Sequence, residues 1–274
     1  MKAFRMPLTT LAIAFALAAC DKAKHSPAET PVTGGALADA VRQAEDTTRQ
    51  DAIPKPDPTK PLSAYPEIKS GQQVMFLHVA VSRMPPDFEK MAESFSREYR
   101  QTSDAFRKND LLQALKPQLE QGIVQAASTP YGWVELDDAD LQTYDFARKG
   151  FPVGEFASSG RYRYFNDASA YSYAWANGEQ LAFAPVADET LARELEAMRG
   201  KWNAKPRLRV YFFAQSADLN ANRINAVVTR AQITDRSGRV LFEYGADGSA
   251  PPRTDADSHC EGALTPEDFA GCAG

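Results

Sequence analysis

The sequence is poor in the residues that usually reveal chemistry. Its 274 residues include only three cysteines and three histidines. The short motifs of dinucleotide and phosphate binding, of serine and zinc hydrolases and of thiol redox enzymes are absent from it. So few imidazoles limit general-base and metal chemistry. The sequence therefore predicts no catalytic residue, no metal site and no cofactor.

Long apolar runs and an excess of basic charge are also missing. The longest N-terminal apolar stretch, Leu8–Ala19, is interrupted by two threonines and falls short of the ~20 residues that span a bilayer. The formal charge of the chain is −5, and it becomes −7 without residues 1–19, which hold Lys2 and Arg5 but no acid. This balance argues against nucleic acid as a partner and against a polybasic grip on anionic lipid.

The N-terminus carries the strongest signal in the sequence. Lys2 and Arg5 form a short positive region before the apolar stretch, which is the pattern of a secretory signal. The stretch ends in Leu17-Ala18-Ala19-Cys20, which resembles the lipobox of bacterial lipoproteins. The alternatives are an ordinary cleaved signal followed by an incidental cysteine, and a retained membrane helix.

The resemblance implies a lipid anchor and a location. In bacterial lipoproteins the chain is cut before the cysteine, whose sulfur carries a diacylglycerol, so residues 1–19 would be removed and Cys20 would anchor the protein in the membrane. Several acyl chains hold a protein firmly, because each buried CH₂ is worth about 0.8 kcal/mol. The domain would then face the periplasm in the cell envelope. Asp21 weakly favours the inner membrane.

The two remaining cysteines, Cys260 and Cys272, form an even pair in a chain predicted to enter an oxidising compartment. They bracket a segment with the features of a short capped helical turn, and we expect a disulfide between them. In the chain-entropy model such a loop contributes about 3 kcal/mol. A metal site that includes His259 and a pair of free thiols are the alternatives.

Composition divides the chain into four parts. The signal peptide is followed by a flexible tether rich in alanine and proline over 20–61, within which 36–51 has the composition of a short helix. A globular domain is expected over 62–247. The C-terminal tail with its disulfide-closed turn occupies 248–274.

Within the domain, hydrophobic periodicity predicts an α+β fold. The continuous apolar run Gln73–Ser82 predicts a buried strand, and helical spacing predicts helices over 88–99 and 112–123, the second kinked or restarted at Pro117. Asp188 predicts the start of a helix that reaches Arg199. Alternation predicts strands over 132–136, 142–147, 161–165, 170–176, 180–184, 207–215, 224–234 and 239–244. We expect a mainly antiparallel sheet with two helical blocks packed on it.

Turn residues and isolated polar groups refine this picture. Asn177-Gly178 and the segment 235–238 predict two hairpin turns. His78, inside the predicted strand, is interpreted as structural. The segment 218–222 begins like a calcium loop, but Arg223 and Thr229 replace the required Gly and Glu, so an Asx-rich turn is favoured.

The feature closest to a binding site is an aromatic ladder. Tyr171, Tyr173 and Trp175 recur at every second residue, as Tyr162 and Tyr164 do on an earlier strand, so each set shares one face of its strand. An exposed ladder would suit a protein partner or a sugar. The favoured interpretation is that these aromatics form the core beneath the helices.

Three function classes follow from these observations. The leading one is a non-enzymatic, lipid-anchored envelope protein that binds another protein or supports an assembly. The second is a module that binds a small molecule or a glycan through the Tyr/Trp strands. The third is an enzyme with unfamiliar motifs, such as a hydrolase.

Overall fold

The computed structural model describes residues 53–158 and 160–246. These residues form an α+β fold in which helices pack on a mainly antiparallel sheet, which confirms the predicted class. The helices are α1 (Gly71–Ser82), α2 (Phe88–Phe95), α3 (Arg97–Gln101), α4 (Ala105–Ser128) and α5 (Glu189–Arg199). The strands are β1 (Tyr131–Leu136), β2 (Phe151–Pro152), β3 (Tyr162–Tyr164), β4 (Ser172–Trp175), β5 (Phe183–Ala184), β6 (Arg207–Asp218), β7 (Arg223–Thr234) and β8 (Val240–Tyr244).

The long hairpin of β6 and β7 is the centre of a six-stranded sheet. β1 pairs with β6 on one side of the hairpin. On the other side β4 pairs with β7 and β3 pairs with β4, giving the order β1-β6-β7-β4-β3. β7 is long enough to take two neighbours on one side, β4 along its first residues and β8 along its last. Among the strands that the structure describes in this sheet, only β4 and β7 pair in parallel. β2 and β5 form a separate two-stranded sheet.

The predicted strand over Gln73–Ser82 is wrong, because this segment is helix α1. Its start is fixed by a capping box in which Ser70 and Gln73 bond reciprocally, and the Asp167 carboxylate accepts from the Gly71 amide at 2.8 Å. α1 lies between the sheet and α4. A helix covered on two sides is apolar almost all round, so its sequence lacks the one-sided stripe that distinguishes a helix from a buried strand.

α4 forms a further layer outside α1. It runs unbroken across Pro117, so of the two predicted alternatives, a kink and a restart, the restart is wrong. Proline has no backbone N–H, so the Gln113 carbonyl has no partner within the helix. Gln113 and Pro117 are both exposed, and water can therefore solvate that carbonyl. Gly122 lets the two helices approach closely, because a Cβ there would meet the Phe76 ring at 2.5 Å.

Several smaller boundaries also differ from prediction. The helix expected over 88–99 is two helices, because Ser96 ends α2 and caps α3. The strand expected over 142–147 is absent, and only isolated bridges occur at Leu141 and Asp145. Asn177-Gly178 does not join a hairpin but begins a 3₁₀ turn, Gly178–Leu181, which takes the first two residues of the strand expected over 180–184, and β5 keeps the last two.

Other predicted elements are confirmed. Asp188 caps α5, which ends at Arg199 as expected. The turn between β7 and β8 has Gly238 at a φ of +91°, the positive value that a glycine accommodates. The Asp218 carboxylate accepts from the amides of Asn220 and Ala221, so this segment is an Asx-type turn joining β6 to β7.

Candidate functional site

The two faces of the six-stranded sheet have different surroundings. The inner face, beneath α1, carries buried side chains such as Val210, Phe212 and Ile224. The opposite face, here called the outer face, carries the side chains of the residues that alternate with these along each strand. It contains an aromatic cluster, a set of ion pairs and a groove.

The predicted aromatic ladder is divided between these faces. Tyr171 and Tyr173 lie in the inner core with only 2% and 3% of their surfaces exposed, and burial raises the pKa of both hydroxyls. Tyr162 and Tyr164 are on the outer face, opposite Ala174 and Ser172, and are 55% and 53% exposed. The core interpretation therefore holds for Tyr171 and Tyr173 and is wrong for Tyr162 and Tyr164.

Trp175, the third residue of the ladder, is half-buried at the end of β4. Its ring packs against Phe156 and Phe212, with ring centroids 6.2 and 5.8 Å away. It also lines an open cleft of about 360 Å³. The cleft floor includes Ala174 and Asn225, neighbours across the β4–β7 pair.

A buried carboxylate organises one wall of this cleft. The Glu155 side chain is fully buried and accepts four hydrogen bonds. The Trp175 indole N–H donates at 2.9 Å, Arg161 donates at 3.2 Å, and Arg163 donates twice. These bonds raise the pKa of Arg163. Glu155 thus fixes the indole ring and both guanidinium groups at the edge of the sheet.

A second cleft, of about 540 Å³, adjoins the first on the outer face. One wall is the segment Pro54–Tyr65, here called the N-terminal strap, and the floor includes Val227 and Thr229. Asn177 and Gln180 line both clefts. The two clefts together are called the outer groove.

The strap is held against the sheet by hydrogen bonds. Gln215 donates to the Pro54 carbonyl at 2.9 Å, and the Asp57 amide donates to the Tyr131 hydroxyl at 2.8 Å. Tyr65 packs edge-on against Tyr131 and Tyr211. Burial raises the pKa of Tyr65 and of Tyr211. This cluster covers part of the outer face and leaves the groove beside it open.

Asn177 explains why the chain turns where a hairpin was expected. Its side-chain amide donates to the Val228 carbonyl at 2.9 Å and accepts from the Val228 amide at 2.8 Å. The side chain thereby continues the β4–β7 pairing beyond the end of β4. The chain then leaves the sheet in a 3₁₀ turn that forms the boundary between the two clefts.

The far end of the outer face is a network of charges. Glu135 bonds Arg207 at 2.9 Å and Arg209 at 3.1 Å, and Arg209 lies 4.6 Å from the centre of the Trp133 ring. Arg230 lies 3.8 Å from Glu243. Asp137 lies 3.7 Å from Arg207 as a third carboxylate, so three carboxylates face the three arginines and the network fixes these side chains.

His78 lies on a helix and not on the expected strand, in surroundings that fit a structural histidine. It is buried, its Nε2 lies 3.4 Å from the Asp218 carbonyl, and its ring contacts Tyr171 edge-on. Burial, with help from the nearby Lys90, lowers its pKa. Within the described residues no group of three or more His, Cys, Asp or Glu side chains is placed to hold a metal ion.

Other sequence-predicted residues lie outside the described part of the chain. These are Cys20, Asp21 and the cysteine pair Cys260 and Cys272, so the anchor and the disulfide stay predictions. Among the helices that the structure describes, none combines the length and apolar character needed to cross a membrane.

Sequence reasoning missed two components of the site. Glu155 stands in a segment with no motif, and its only signal is the spacing of Arg161 and Arg163, just before and on the following strand. The exposure of Tyr162 and Tyr164 depends on which residues they face across the sheet. That register is set by long-range pairing and not by the local pattern.

Comparison with known proteins leaves the chain without a recognised relative. No family model matches it, and no curated protein or solved structure is significantly similar to it.

Proposed function

We propose that this chain is a lipid-anchored envelope protein whose domain binds a segment of another protein in the outer groove, without catalysing a reaction. The observation that carries the proposal is the exposure of Tyr162 and Tyr164 on the outer face, 55% and 53%. Tyrosine side chains that stand out from a rigid strand are typical anchors of protein interfaces.

The two tyrosines form one surface. Their ring centroids are 6.5 Å apart, and the planes are inclined by 32°. β3 is the terminal strand of the sheet, so the rings stand at its margin. Because a tyrosine side chain has only two rotatable χ angles, these rings lose little conformational entropy when a partner covers them, and this favours affinity.

The groove beside them offers both apolar contact and hydrogen bonding. Ala174, Val227 and Thr229 are small or β-branched and leave room above the sheet. The Gln180 side chain is exposed at the junction of the clefts and forms no hydrogen bond within the described residues. A free amide group can pair with a peptide N–H or C=O, which an extended polypeptide supplies at every residue.

The lipid anchor at Cys20 is the part of the proposal that fixes the location. Cys20→Ser removes the sulfur that would carry the diacylglycerol, so we expect loss of acyl labelling and accumulation of the uncut precursor. Radiolabelled fatty acid and the mass of the purified chain measure both effects. Continued acyl labelling of the Cys20→Ser chain would contradict the anchor.

The binding surface is tested by photo-crosslinking in the native envelope. A photoreactive phenylalanine analogue replaces Tyr162 or Tyr164 in the full chain, and the matched control carries it at Val124, which is 69% exposed on the helical layer. We expect one discrete protein adduct from the tyrosine positions and not from Val124. The adduct should disappear in a strain that lacks the adducted protein.

Two outcomes would overturn this assignment. Equal adducts from Val124 and from the tyrosine positions would mean that crosslinking reports random encounters. The absence of any adduct from Tyr162 and Tyr164, in a chain shown by acyl labelling to be anchored, would remove the outer face as a protein-binding surface.

A glycan is the second candidate, because Trp175 lines a cleft beside polar side chains. An indole ring and amide groups suit the apolar and hydroxyl faces of a sugar. Against it, the indole N–H is already donated to Glu155. Titration with envelope glycan fragments, followed as the fluorescence difference between the parent and the Trp175→Phe chain, tests this candidate. A glycan site predicts a saturable change in the Trp175 signal, and a groove that takes only a protein segment predicts none with these fragments.

A further inference from the structure

Two aromatic side chains near α5 are almost fully exposed. Phe146, on the loop before β2, is 84% exposed, and Trp202, three residues after α5 ends, is 87% exposed. Exposure of an aromatic ring to water is unfavourable by about 25 cal/mol per Å² of apolar surface. Neither ring belongs to the outer groove, so the protein-binding proposal does not account for them.

The loop that carries Phe146 is built to hold its ring outward. The Asp145 carboxylate accepts from the amides of Ala147 and Arg148 at 2.9 and 3.0 Å, and Asp145 pairs with Gly150 across the base of the loop. Tyr144 contacts the Phe146 ring edge-on at 5.0 Å. These contacts define a tight loop with Phe146 on its outside.

Both aromatic side chains are connected to α5. Phe146 and Tyr144 line a shallow depression with Ala192 and Ala197 of that helix, and the ion-paired side chains Glu189, Arg193 and Glu196 line it as well. Trp202 stands in the turn that follows the helix, which is closed by a bond from the Ala204 amide to the Lys201 carbonyl at 3.1 Å. The depression and the two segments are here called the α5 surface.

The unpaired charge around these rings is positive. Arg148 and Lys149 follow Phe146, Lys201 precedes Trp202, and none of the three has a carboxylate partner within the described residues. Arg148 lies over the Phe183 ring, 3.7 Å from its centre. Of the nearby acids, Asp138 is paired with Lys205 and Glu196 with Arg199. The Asp145 carboxylate beside Phe146 bonds only backbone amides, so it offsets one of the three cations and leaves two in excess. The chain as a whole is acidic, so this excess of cations is local.

A third exposed aromatic shows that exposure alone is not the argument. Phe106 is 85% exposed at the start of α4. The cations beside it are paired, Arg107 with Glu98 at 2.8 Å and Lys108 with Glu93 at 2.6 Å. Phe106 therefore lacks the unpaired positive charge found around Phe146 and Trp202, and it is a matched control for them.

We infer that the α5 surface is a contact site for an anionic lipid bilayer, into whose headgroup region Phe146 and Trp202 insert. Aromatic rings are favourable at the boundary of headgroups and acyl chains, and unpaired cations are attracted to lipid phosphates by about 1 kcal/mol each. The inference goes beyond the outer groove, because it concerns a different surface and a different class of partner. A lipid anchor on the same chain would keep this surface near the bilayer.

The test is tryptophan fluorescence of the full chain with vesicles of phosphatidylethanolamine and phosphatidylglycerol that contain brominated acyl chains. The chain has three tryptophans, and the difference between the parent and Trp202→Phe isolates the signal of Trp202. We expect bromine to quench this signal and vesicles to shift it to shorter wavelength. Phe146→Ser and Lys149→Gln should reduce the quenching at least twofold, while Phe106→Ser should leave it unchanged.

Vesicles of phosphatidylcholine alone should give weaker quenching, because the anionic lipid is missing. Unchanged emission of Trp202 with anionic vesicles would overturn the inference, as would equal quenching in the Phe106→Ser and Phe146→Ser chains. A lipid-free extract of envelope proteins could instead shield Trp202 from quenching by iodide, while brominated lipid leaves Trp202 unquenched. That result would assign the surface to a protein partner and reject the lipid.

Failure of the inference and failure of the anchor remain distinguishable. A chain that carries acyl groups and sediments with vesicles, but whose Trp202 is not quenched, retains the anchor and lacks the contact site. A chain without acyl groups whose Trp202 is quenched retains the contact site and lacks the anchor.

Discussion

The two faces of the sheet are built on the same strands but have opposite surroundings. The inner face lies beneath α1, which α4 covers in turn, and its side chains are almost completely excluded from water. Within residues 53–158 and 160–246, the outer face is covered by the strap and by ion-paired side chains, and the outer groove and two tyrosines stay accessible. One face supplies the burial that stabilises the fold, and the other is available for recognition.

The largest expected difference between the faces is in stability. Phe212 is 1% exposed and packs against Tyr173 and Trp175, so Phe212→Ala should lower the free energy of unfolding by about 3–5 kcal/mol. Its matched outer-face change, Tyr164→Ala, should lower it by less than about 0.5 kcal/mol. Urea denaturation followed by circular dichroism measures both. Similar losses in the two variants would show that the outer face contributes to the core.

The next effect concerns the carboxylate at the edge between the faces. Glu155→Gln leaves Arg161 and Arg163 without their buried counter-charge. We expect the free energy of unfolding to fall by about 2–3 kcal/mol, which is less than for a fully buried pair because both arginines reach solvent. Glu189→Gln breaks an exposed pair with Arg193 and should change little. Thermal unfolding of the two variants makes the comparison. Equal stability would mean that Glu155 is not an organising group.

A smaller effect is the pH dependence that His78 contributes to the inner face. Burial lowers its pKa in the folded chain, so the unfolded chain binds the proton more readily. Its stabilising contribution is therefore present above the unfolded pKa of about 6.5 and is lost as the pH falls below that value. His78→Gln should flatten the dependence of unfolding free energy on pH between about 7 and 5. An unchanged dependence of the unfolding free energy on pH would contradict the lowered pKa of His78 in the folded chain.

Much of the fold follows from local sequence. The β6–β7 hairpin, the Gly238 turn and the Asp188 cap were predictable because alternation, positive φ and capping act over a few residues. α1 was not, because a helix buried on two sides has the same apolar run as a buried strand. The 3₁₀ turn at Asn177 was also missed, since its side chain bonds Val228, 51 residues away.

The candidate site was less predictable than the fold. Trp175 lies at the groove, as one of the binding hypotheses required, but Tyr171 and Tyr173 are in the core. Both tyrosine sets have the same period, and only the register of β3 against β4 decides that one points inward and the other outward. Neither Glu155 nor the strap has a local signal, because each acts through residues distant in the sequence.

The most direct test of the account is the double variant Tyr162→Ser/Tyr164→Ser, compared with Phe106→Ser/Val124→Ser on the helical layer. The protein captured by photo-crosslinking is titrated against each full chain, and the free energy of unfolding is measured in parallel. The account predicts at least a tenfold loss of affinity for the tyrosine variant, unchanged affinity for the control, and similar stability for both. Unchanged affinity of the stably folded tyrosine variant would contradict the assignment of the outer face as the binding surface.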